Sequence, residues 1–335
     1  MSIWPAVVPE GKELTEILRL LFTPEEAEIL SSEAFTAPFQ DYRSAADIAE
    51  LTGKPYQHIK KIMEELERKK RVFTFTDTIT GQRYYSLFPV EPAVVGFFIE
   101  KADPAVQKVI TPLFEEVFHT RISMGEGTQV ETWGRIVPVD HAVTIINEIL
   151  TFETVAGLIQ KASAISVAPC FCKSKRPCHH PREVCMAFDE GAEFVVEKGI
   201  ARYIDVEEAL ELLNKTEDAG LIHISTNTGR GSKFVCNCCT CSCFLLKSLT
   251  ESENPSLFST SQVVPHIDVE LCDQCNQCVD ICPFGALFND GVLQLRENRC
   301  VGCGLCTHHC PHHAIRMHAS DRENEDLVDP VSPLV

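Results

Sequence analysis

CDQCNQCVDICP at residues 272–283 and CVGCGLCTHHCP at residues 300–311 share one cysteine spacing. Both stretches read C-x2-C-x2-C-x3-C-P, and the second follows the first at an offset of 28 residues. Two further pairs match at the same offset: Ala286 with Ala314, and Leu287 with Ile315. The last quarter of the chain therefore contains an internal repeat that is dense in thiols.

The chemistry of iron–sulfur clusters explains this spacing. Three thiolates on one tight loop reach three corners of an iron–sulfur cube, and the fourth cysteine, just before the proline, leaves that loop to bind the other cluster. Two zinc knuckles, the alternative, would need no repeated cysteine–proline ending. The pattern is that of bacterial two-cluster ferredoxins over about residues 264–318, and it implies low-potential electron transfer.

The same rule assigns four cysteines to each of two [4Fe-4S] clusters. The first cluster is predicted to bind Cys272, Cys275, Cys278 and Cys310. The second is predicted to bind Cys300, Cys303, Cys306 and Cys282. Around the second motif we expect a solvated surface cluster of histidines. Its members are His308, His309, His312, His313 and His318.

Nine further cysteines lie in the middle of the chain, and residues 1–169 contain none. They are Cys170, Cys172, Cys178, Cys185, Cys236, Cys238, Cys239, Cys241 and Cys243. Reduced thiols at this density are more typical of metal binding or redox chemistry than of disulfides. We predict an additional metal–sulfur site, a third iron–sulfur cluster or zinc, with one half at residues 170–185 and the other at 236–243.

Two details of these stretches bear on the ligand set. The spacing C-x-C-x5-C-x6-C of Cys170, Cys172, Cys178 and Cys185 could by itself supply four ligands. His179 or His180 could replace one of these ligands, but their place in RPCHHP predicts an exposed loop. The side chains of Cys238 and Cys239 diverge, so the second stretch either divides its thiols between two sites or leaves some free. Free thiols could form a C-x-x-C dithiol couple.

Residues 44–88 predict a winged helix-turn-helix. Ser44 can cap a short helix with Ala45, Ile48 and Leu51 on one face, and Gly53 can end it. In the next helix the apolar residues recur at helical spacing: Ile59, Ile62, Met63 and Leu66. Then VFTFTDTITGQRYYSLF alternates around a hairpin turn. One helix over residues 12–31 is expected beneath this unit.

The middle of the chain alternates predicted strands with helices, and both cysteine-rich stretches are expected just past strand ends, where ligands are often held. The fold class is therefore a multidomain α+β protein. We predict these domains: winged helix-turn-helix 1–95, helical linker 96–134, central α/β cysteine-rich domain 135–260, two-[4Fe-4S] ferredoxin-like domain 261–318, and acidic tail 319–335.

The distribution of charge along the chain indicates which kind of partner the protein would bind. The net charge is −18, and from residue 251 onward thirteen Asp/Glu stand against four Lys/Arg. This balance suits a redox partner protein with a basic docking surface, and DNA binding is not favoured because the basic residues of the second winged-helix segment cluster at its end. We find no membrane-spanning run and no secretory signal, so we expect a cytoplasmic protein. TGRGSK at residues 228–233 lacks P-loop spacing.

The order winged helix, VAPCFCK, EEALELL, CNCC and two ferredoxin motifs resembles prokaryotic winged-helix/4Fe-4S dicluster-domain proteins, which are most common in anaerobes. The resemblance implies cluster binding and electron transfer, with no established substrate. Family members often read C-N-C-C-x-C-C-C, and here Thr240 and Ser242 separate the later cysteines.

We therefore predict an iron–sulfur electron-transfer protein, more a carrier than a stand-alone enzyme, with no catalytic residue assigned. The alternatives are a redox-sensing winged-helix transcription regulator and an iron–sulfur oxidoreductase with its active site in the central domain.

Overall fold

The computed structural model describes residues 11–36, 41–77, 79–87, 104–116, 134–139, 154–176, 178–226, 234–251, 258–259, 261 and 263–319. Contacts divide the chain into two compact units. One comprises Met1–Gln129 with Glu197–Ile200, and the other comprises Val130–Val196 with Ala201–Val335. The predicted acidic tail lies, beyond Ala319, outside the described residues.

The N-terminal unit contains helices followed by a β-hairpin. The elements are α1 (Lys12–Leu21), α2 (Pro24–Leu30), α3 (Ala45–Thr52), α4 (Tyr56–Arg68), β1 (Phe73–Thr76), β2 (Arg83–Ser86) and α5 (Pro104–Glu115). The prediction of one helix over residues 12–31 is wrong. Thr23 caps a new helix, with Pro24 in its first position and Glu26 closing a capping box, and these start signals divide the segment in two.

Helix α3 has the predicted ends but a different buried face. Ser44 caps it, and Gly53, with φ of 65°, ends it. Ala45 and Ile48 are buried, whereas Leu51 is 46% exposed. The buried residues of α3 pack in one core with those of α4 and Tyr85 of β2.

The second unit is built on a seven-stranded sheet. Its strands are β3 (Gly134–Val137), β4 (Ile165–Pro169), β5 (Glu183–Phe188), β6 (Arg202–Ile204), β7 (Ile222–Thr226), β8 (Phe234–Cys238) and β9 (Phe258–Ser259). Their order is β6-β4-β5-β8-β7-β3-β9, and each pair is antiparallel except β3 with β9. The helices are α6 (Val155–Lys161), α7 (Phe171–Lys175), α8 (Glu190–Glu197), α9 (Val206–Asp218) and α10 (Phe244–Glu251). None of the helices in the described part of the chain is long and apolar enough to cross a membrane.

The sheet brings the two cysteine-rich stretches side by side. Strand β5 pairs with β8, with Met186 opposite Val235, so Cys185 lies beside Cys236. Cys236 and Cys238 share one face of β8, because side chains alternate along a strand. Cys185, Cys236 and Cys238 therefore lie within strands, not past strand ends as expected. Cys170 does lie in the expected position, because it directly follows β4.

The C-terminal part folds as two similar halves. Strand β10 (Val263–Ile267) pairs with β13 (Ile315–Ala319), and β11 (Leu287–Asn289) pairs with β12 (Leu293–Leu295). Short helices α11 (Gln277–Ile281) and α12 (Leu305–His308) follow the cysteine loops. The two copies of the 28-residue repeat adopt the left-handed backbone conformation at matching positions. These are Gln274 and Gly302 (φ 58° and 70°), Asn276 and Gly304 (64° and 78°), and Gly285 and His313 (61° and 49°).

Candidate metal centres

Two cavities lined by cysteines lie in the C-terminal part. The cysteines of the first are Cys272, Cys275, Cys278 and Cys310. The cysteines of the second are Cys282, Cys300, Cys303 and Cys306. Each cavity takes three cysteines from one loop and the fourth from the other loop. This is the grouping that the predicted exchange of fourth cysteines requires.

The thiols of these cavities lie in largely apolar surroundings. Burial raises the pKa of Cys278 to about 11 and that of Cys303 to about 12, and it raises the pKa of Cys306 well above its ordinary value. A metal must therefore displace protons from these sulfurs when it binds. The backbone N–H of Ala314 donates to Cys310 Sγ at 3.3 Å, a contact that also suits a cluster-bound thiolate. Four converging thiols in each cavity fit a [4Fe-4S] cluster.

Six of the nine central cysteines form a closed ring in which each thiol interacts with two neighbouring thiols. In order around this six-thiol ring, they are Cys170, Cys172, Cys243, Cys238, Cys236 and Cys185. Strands β5 and β8 supply three of them, and the ends of β4, α7 and α10 place the others beside that edge. The stretches 170–185 and 236–243 thus meet at one site.

Two cysteines of the ring, Cys170 and Cys236, have strongly lowered pKa values. Hydrogen bonds from Cys172 and Cys185 lower the pKa of Cys170 to about 3. Hydrogen bonds from Cys185 and Cys238 likewise lower the pKa of Cys236 to about 5. The ammonium of Lys173, which is buried, adds positive charge near the ring and donates to Pro181 O at 2.8 Å. The contacts with neighbouring cysteines, together with burial, raise the pKa of Cys172, Cys185 and Cys238 well above the ordinary value, so a metal must displace protons from these three sulfurs when it binds.

The three remaining central cysteines form a second group, together with a histidine. Cys178, His180, Cys239 and Cys241 have ligand atoms that all lie within 4.8 Å of one another. We call these four residues the Cys3His group. Cys178 Sγ lies 3.7 Å from Cys239 Sγ and 3.5 Å from His180 Nδ1. Cys241 Sγ lies 3.1 Å from Cys239 Sγ and 3.4 Å from His180 Nδ1.

The Cys3His group corrects two expectations. His180 is half-buried and faces three thiols rather than solvent, whereas His179 is exposed as expected. Cys178 does not join Cys170, Cys172 and Cys185, because the loop that carries it turns toward the segment after β8. Burial, with the nearby charges of His179 and Lys173, lowers the pKa of His180 and favours its neutral, ligating form. The C-x-H spacing of residues 178–180 was the signal in the sequence for this group.

Two of the five histidines near the second cavity are not a solvated surface cluster. His308 Nε2 lies 2.9 Å from Asp218 Oδ1, and His309 Nε2 lies 3.1 Å from Glu217 O. The expectation is wrong for both because α9 covers them, a contact far apart in sequence. The other three are exposed as predicted: His312, His313 and His318.

A buried polar chain fixes strand β8 from the face opposite the ring. Asn237 Oδ1 lies 2.6 Å from His223 Nδ1, and Asn237 Nδ2 donates to Val184 O at 2.6 Å. His223 Nε2 lies 3.2 Å from Glu217 Oε1. The three side chains are buried, so their hydrogen bonds hold Asn237, and with it the flanking Cys236 and Cys238, in one position.

The six-thiol ring and the second cavity share one hydrophobic core. Cys236, Cys238 and Cys243 belong to the same packed cluster as Cys282 and Cys303. A backbone hydrogen bond also joins the segment after β3 to the second cysteine loop, because the N–H of Val139 donates to the carbonyl of Cys303 at 3.0 Å. The central thiols and the second ferredoxin site are therefore parts of one compact body.

Residues 265–288 and 293–316 match the family model of the 4Fe-4S binding domain. The chain is also similar to the thiosulfate reductase electron transfer subunit PhsB of Salmonella typhi, at 30% identity over 90 residues, covering 23% of this chain and 47% of that protein. These matches confirm the predicted two-cluster 4Fe-4S region at the C-terminus.

Two further relatives also match a part of the chain. The electron transport protein HydN of Escherichia coli is 28% identical over 92 residues, covering 24% of this chain and 53% of that protein. Pyruvate synthase subunit PorD of Methanothermobacter marburgensis is 36% identical over 53 residues, covering 16% and 63%. The chain thus spans about half the length of the first of these relatives. No solved structure matches the chain.

Proposed function

We propose that the chain is an iron–sulfur electron carrier whose ferredoxin region and central thiols form one redox unit. The observation that carries this proposal is the shared core of the six-thiol ring and the second cavity, where Cys236 and Cys238 pack with Cys282 and Cys303. Clusters bound at such sites supply one-electron oxidation and reduction. The protein keeps the two sites adjacent and shields the space between them from water.

The eight ferredoxin cysteines are assigned to two [4Fe-4S] clusters with exchanged fourth ligands. The first set is Cys272, Cys275, Cys278 and Cys310. The second set is Cys300, Cys303, Cys306 and Cys282. The lining of the two cavities supports this assignment, because each cavity collects one complete set.

The six-thiol ring is proposed to hold a further iron–sulfur centre. Soft sulfur donors are the preferred ligands of iron–sulfur clusters, and the ring supplies more than the four thiolates that a [4Fe-4S] cluster needs. The positive charge of buried Lys173 offsets part of the negative charge of such a centre. The names of the relatives, which include electron transfer and electron transport proteins, support the same assignment of function.

The first cavity is proposed as the port, that is, the site at which a redox partner exchanges electrons with the protein. Cys275 is exposed there, and its backbone N–H donates to the exposed carboxylate of Asp273 at 3.1 Å, whereas the second cavity packs into the core. An exposed carboxylate beside an exposed ligand, in a C-terminal region with an excess of acidic residues, favours a partner that presents a basic surface. Electrons exchanged at this port would reach the central thiols through the second site.

The N-terminal unit is proposed to be a winged helix-turn-helix with a docking role. Helices α3 and α4 and the β1–β2 hairpin follow in the order of that motif. Basic side chains of its second helix already pair with carboxylates, because Arg68 lies 2.6 Å from Glu65 and Lys69 lies 2.9 Å from Glu26. These ion pairs compete with binding to DNA phosphates, which favours docking over a redox-sensing transcription regulator.

A redox titration tests the carrier function. Anaerobic protein is reduced stoichiometrically with dithionite and then reoxidised with a one-electron acceptor while the cluster absorbance is followed. A carrier takes up and returns about one electron per cluster through repeated cycles. Clusters that fail to cycle, or electrons lost to a small-molecule product, would replace the carrier by the oxidoreductase alternative. Redox-dependent binding of a DNA fragment would favour the regulator.

A further inference from the structure

The Cys3His group is separate from the six-thiol ring and from both ferredoxin cavities. Cys178 and His180 come from the loop before β5, and Cys239 and Cys241 come from the turn after β8. No residue of the group belongs to the ring, although Cys239 directly follows Cys238. Its chemistry therefore has to be considered independently of the electron-carrier proposal.

The spacing of the four ligand atoms fits a single ion. A tetrahedral centre with metal–sulfur bonds of about 2.3 Å holds its sulfurs roughly 3.8 Å apart and its sulfur and nitrogen slightly closer. The Sγ atoms of Cys178 and Cys239 are 3.7 Å apart, and His180 Nδ1 lies 3.5 Å from Cys178 Sγ and 3.4 Å from Cys241 Sγ. The Sγ atoms of Cys239 and Cys241 are closer, at 3.1 Å, and would have to move apart when the ion binds. All four ligand atoms converge within 4.8 Å of one another, closer than the thiolates of a cubane, which bind different irons; in the six-thiol ring the contacts join only neighbours around the ring.

We propose that Cys178, His180, Cys239 and Cys241 bind one zinc ion. Three thiolates and one imidazole are a standard structural zinc ligand set, and four protein ligands leave no open position for a substrate. The thiols lose their protons to solvent on binding, and no electron is transferred.

The zinc ion would link the loop before β5 to the turn after β8, and both segments adjoin cysteines of the ring. The connection after β8 already contacts the loop after α7, because Ser242 Oγ donates to Arg176 O at 2.6 Å. A metal bond across the same junction would fix Cys238 and Cys243, which flank the zinc ligands in sequence, against the stretch 170–185. The zinc site thus stabilises the frame around the ring without contributing a ligand to it.

Metal analysis of the full chain, purified anaerobically, tests the proposal. Zinc and iron are measured by mass spectrometry in the wild-type protein and in His180→Ala, Cys178→Ala and the matched control His179→Ala. The wild-type protein and His179→Ala should contain about one zinc per chain, with about three sulfurs and one nitrogen around it by zinc X-ray absorption. His180→Ala and Cys178→Ala should lose the zinc and keep their iron and sulfide.

A rescue variant keeps the proposal testable if these variants misfold. His180→Cys should retain zinc and change its coordination from three sulfurs and one nitrogen to four sulfurs. The proposal is overturned if the wild-type protein lacks zinc, or if zinc remains in both alanine variants. It is also overturned if His180→Ala loses iron instead, because the group would then ligate iron. None of these outcomes depends on electron transfer, so the two proposals can fail separately.

Discussion

Cys238 and Cys239 are consecutive in the chain, but their thiols belong to different groups. Cys238 contacts Cys236 and Cys243 in the six-thiol ring, whereas Cys239 Sγ lies 3.7 Å from Cys178 Sγ. The peptide bond between them is therefore the point where a buried ring of soft ligands meets a compact four-ligand site. Substituting each in turn separates the two sites by a single residue.

The neighbouring variants Cys238→Ala and Cys239→Ala should lose different metals. Removal of Cys238 should reduce the iron of the central centre, by about four per chain for a cubane, and leave zinc in place. Removal of Cys239 should abolish zinc binding and leave the iron content unchanged. Iron and zinc measured in the same anaerobic samples decide the matter. Loss of both metals to the same extent in both variants would mean one joint site.

Exchange of the fourth cysteines between the ferredoxin loops can be tested with two double variants. Cys272→Ala with Cys310→Ala removes two ligands from one cluster and should cost about four irons. Cys272→Ala with Cys282→Ala removes one ligand from each cluster and should cost up to about eight. Iron content and the paramagnetic signals of the reduced clusters report the result. The opposite order of losses would show that each loop keeps its own fourth cysteine.

Gly302 lies where the second cysteine loop approaches the backbone most closely. A Cβ there would lie 2.5 Å from Val263 O, and φ is 70°. Gly302→Ala should therefore distort the loop that carries Cys303 and reduce the iron of the second cluster by about four per chain. Gly285→Ala is the matched control, because its φ is 61° and its Cβ would contact only Arg299 Nε, at 4.0 Å. It should cost about 1–2 kcal/mol from backbone strain and keep its iron. Equal iron loss in both variants would exclude the steric explanation.

Glu217 is the buried carboxylate between His223 and the second cavity. Its removal leaves the buried Nε2 of His223 without its hydrogen-bond partner, so Glu217→Ala should destabilise the fold by about 3 kcal/mol. The thermal midpoint should then fall by about 6–12 °C, at roughly 2–4 °C per kcal/mol. Exposed Glu207 on the same helix provides the control, and Glu207→Ala should change the midpoint only slightly. Equal shifts in the two variants would contradict an anchoring role.

The ferredoxin region could be predicted from sequence because its ligands are local. Three cysteines of each set lie on one seven-residue loop, and the second copy follows at a fixed offset. Buried Ala286 and Ala314 at matching positions show the same repeat in the packing. Short-range spacing is sufficient to define this type of site.

The grouping of the central cysteines could not be predicted in the same way. The position of Cys185 beside Cys236 depends on the register of two strands that are far apart in sequence. Cys178 and His180 join Cys239 and Cys241 only through the path of two loops. His308 is likewise covered by a helix whose relevant residue, Asp218, is 90 positions away. Sequence spacing identified the ligand types, and the antiparallel sheet determined which of them meet.

Iron and acid-labile sulfide content of anaerobically purified protein is the measurement that tests the central claim most directly. An electron carrier with two ferredoxin clusters and a central iron–sulfur centre should contain about twelve irons and about twelve sulfides per chain. Cys236→Ala should lower both to about eight while the ferredoxin signals persist. About eight irons in the wild-type protein, unchanged by Cys236→Ala, would contradict a redox centre in the six-thiol ring.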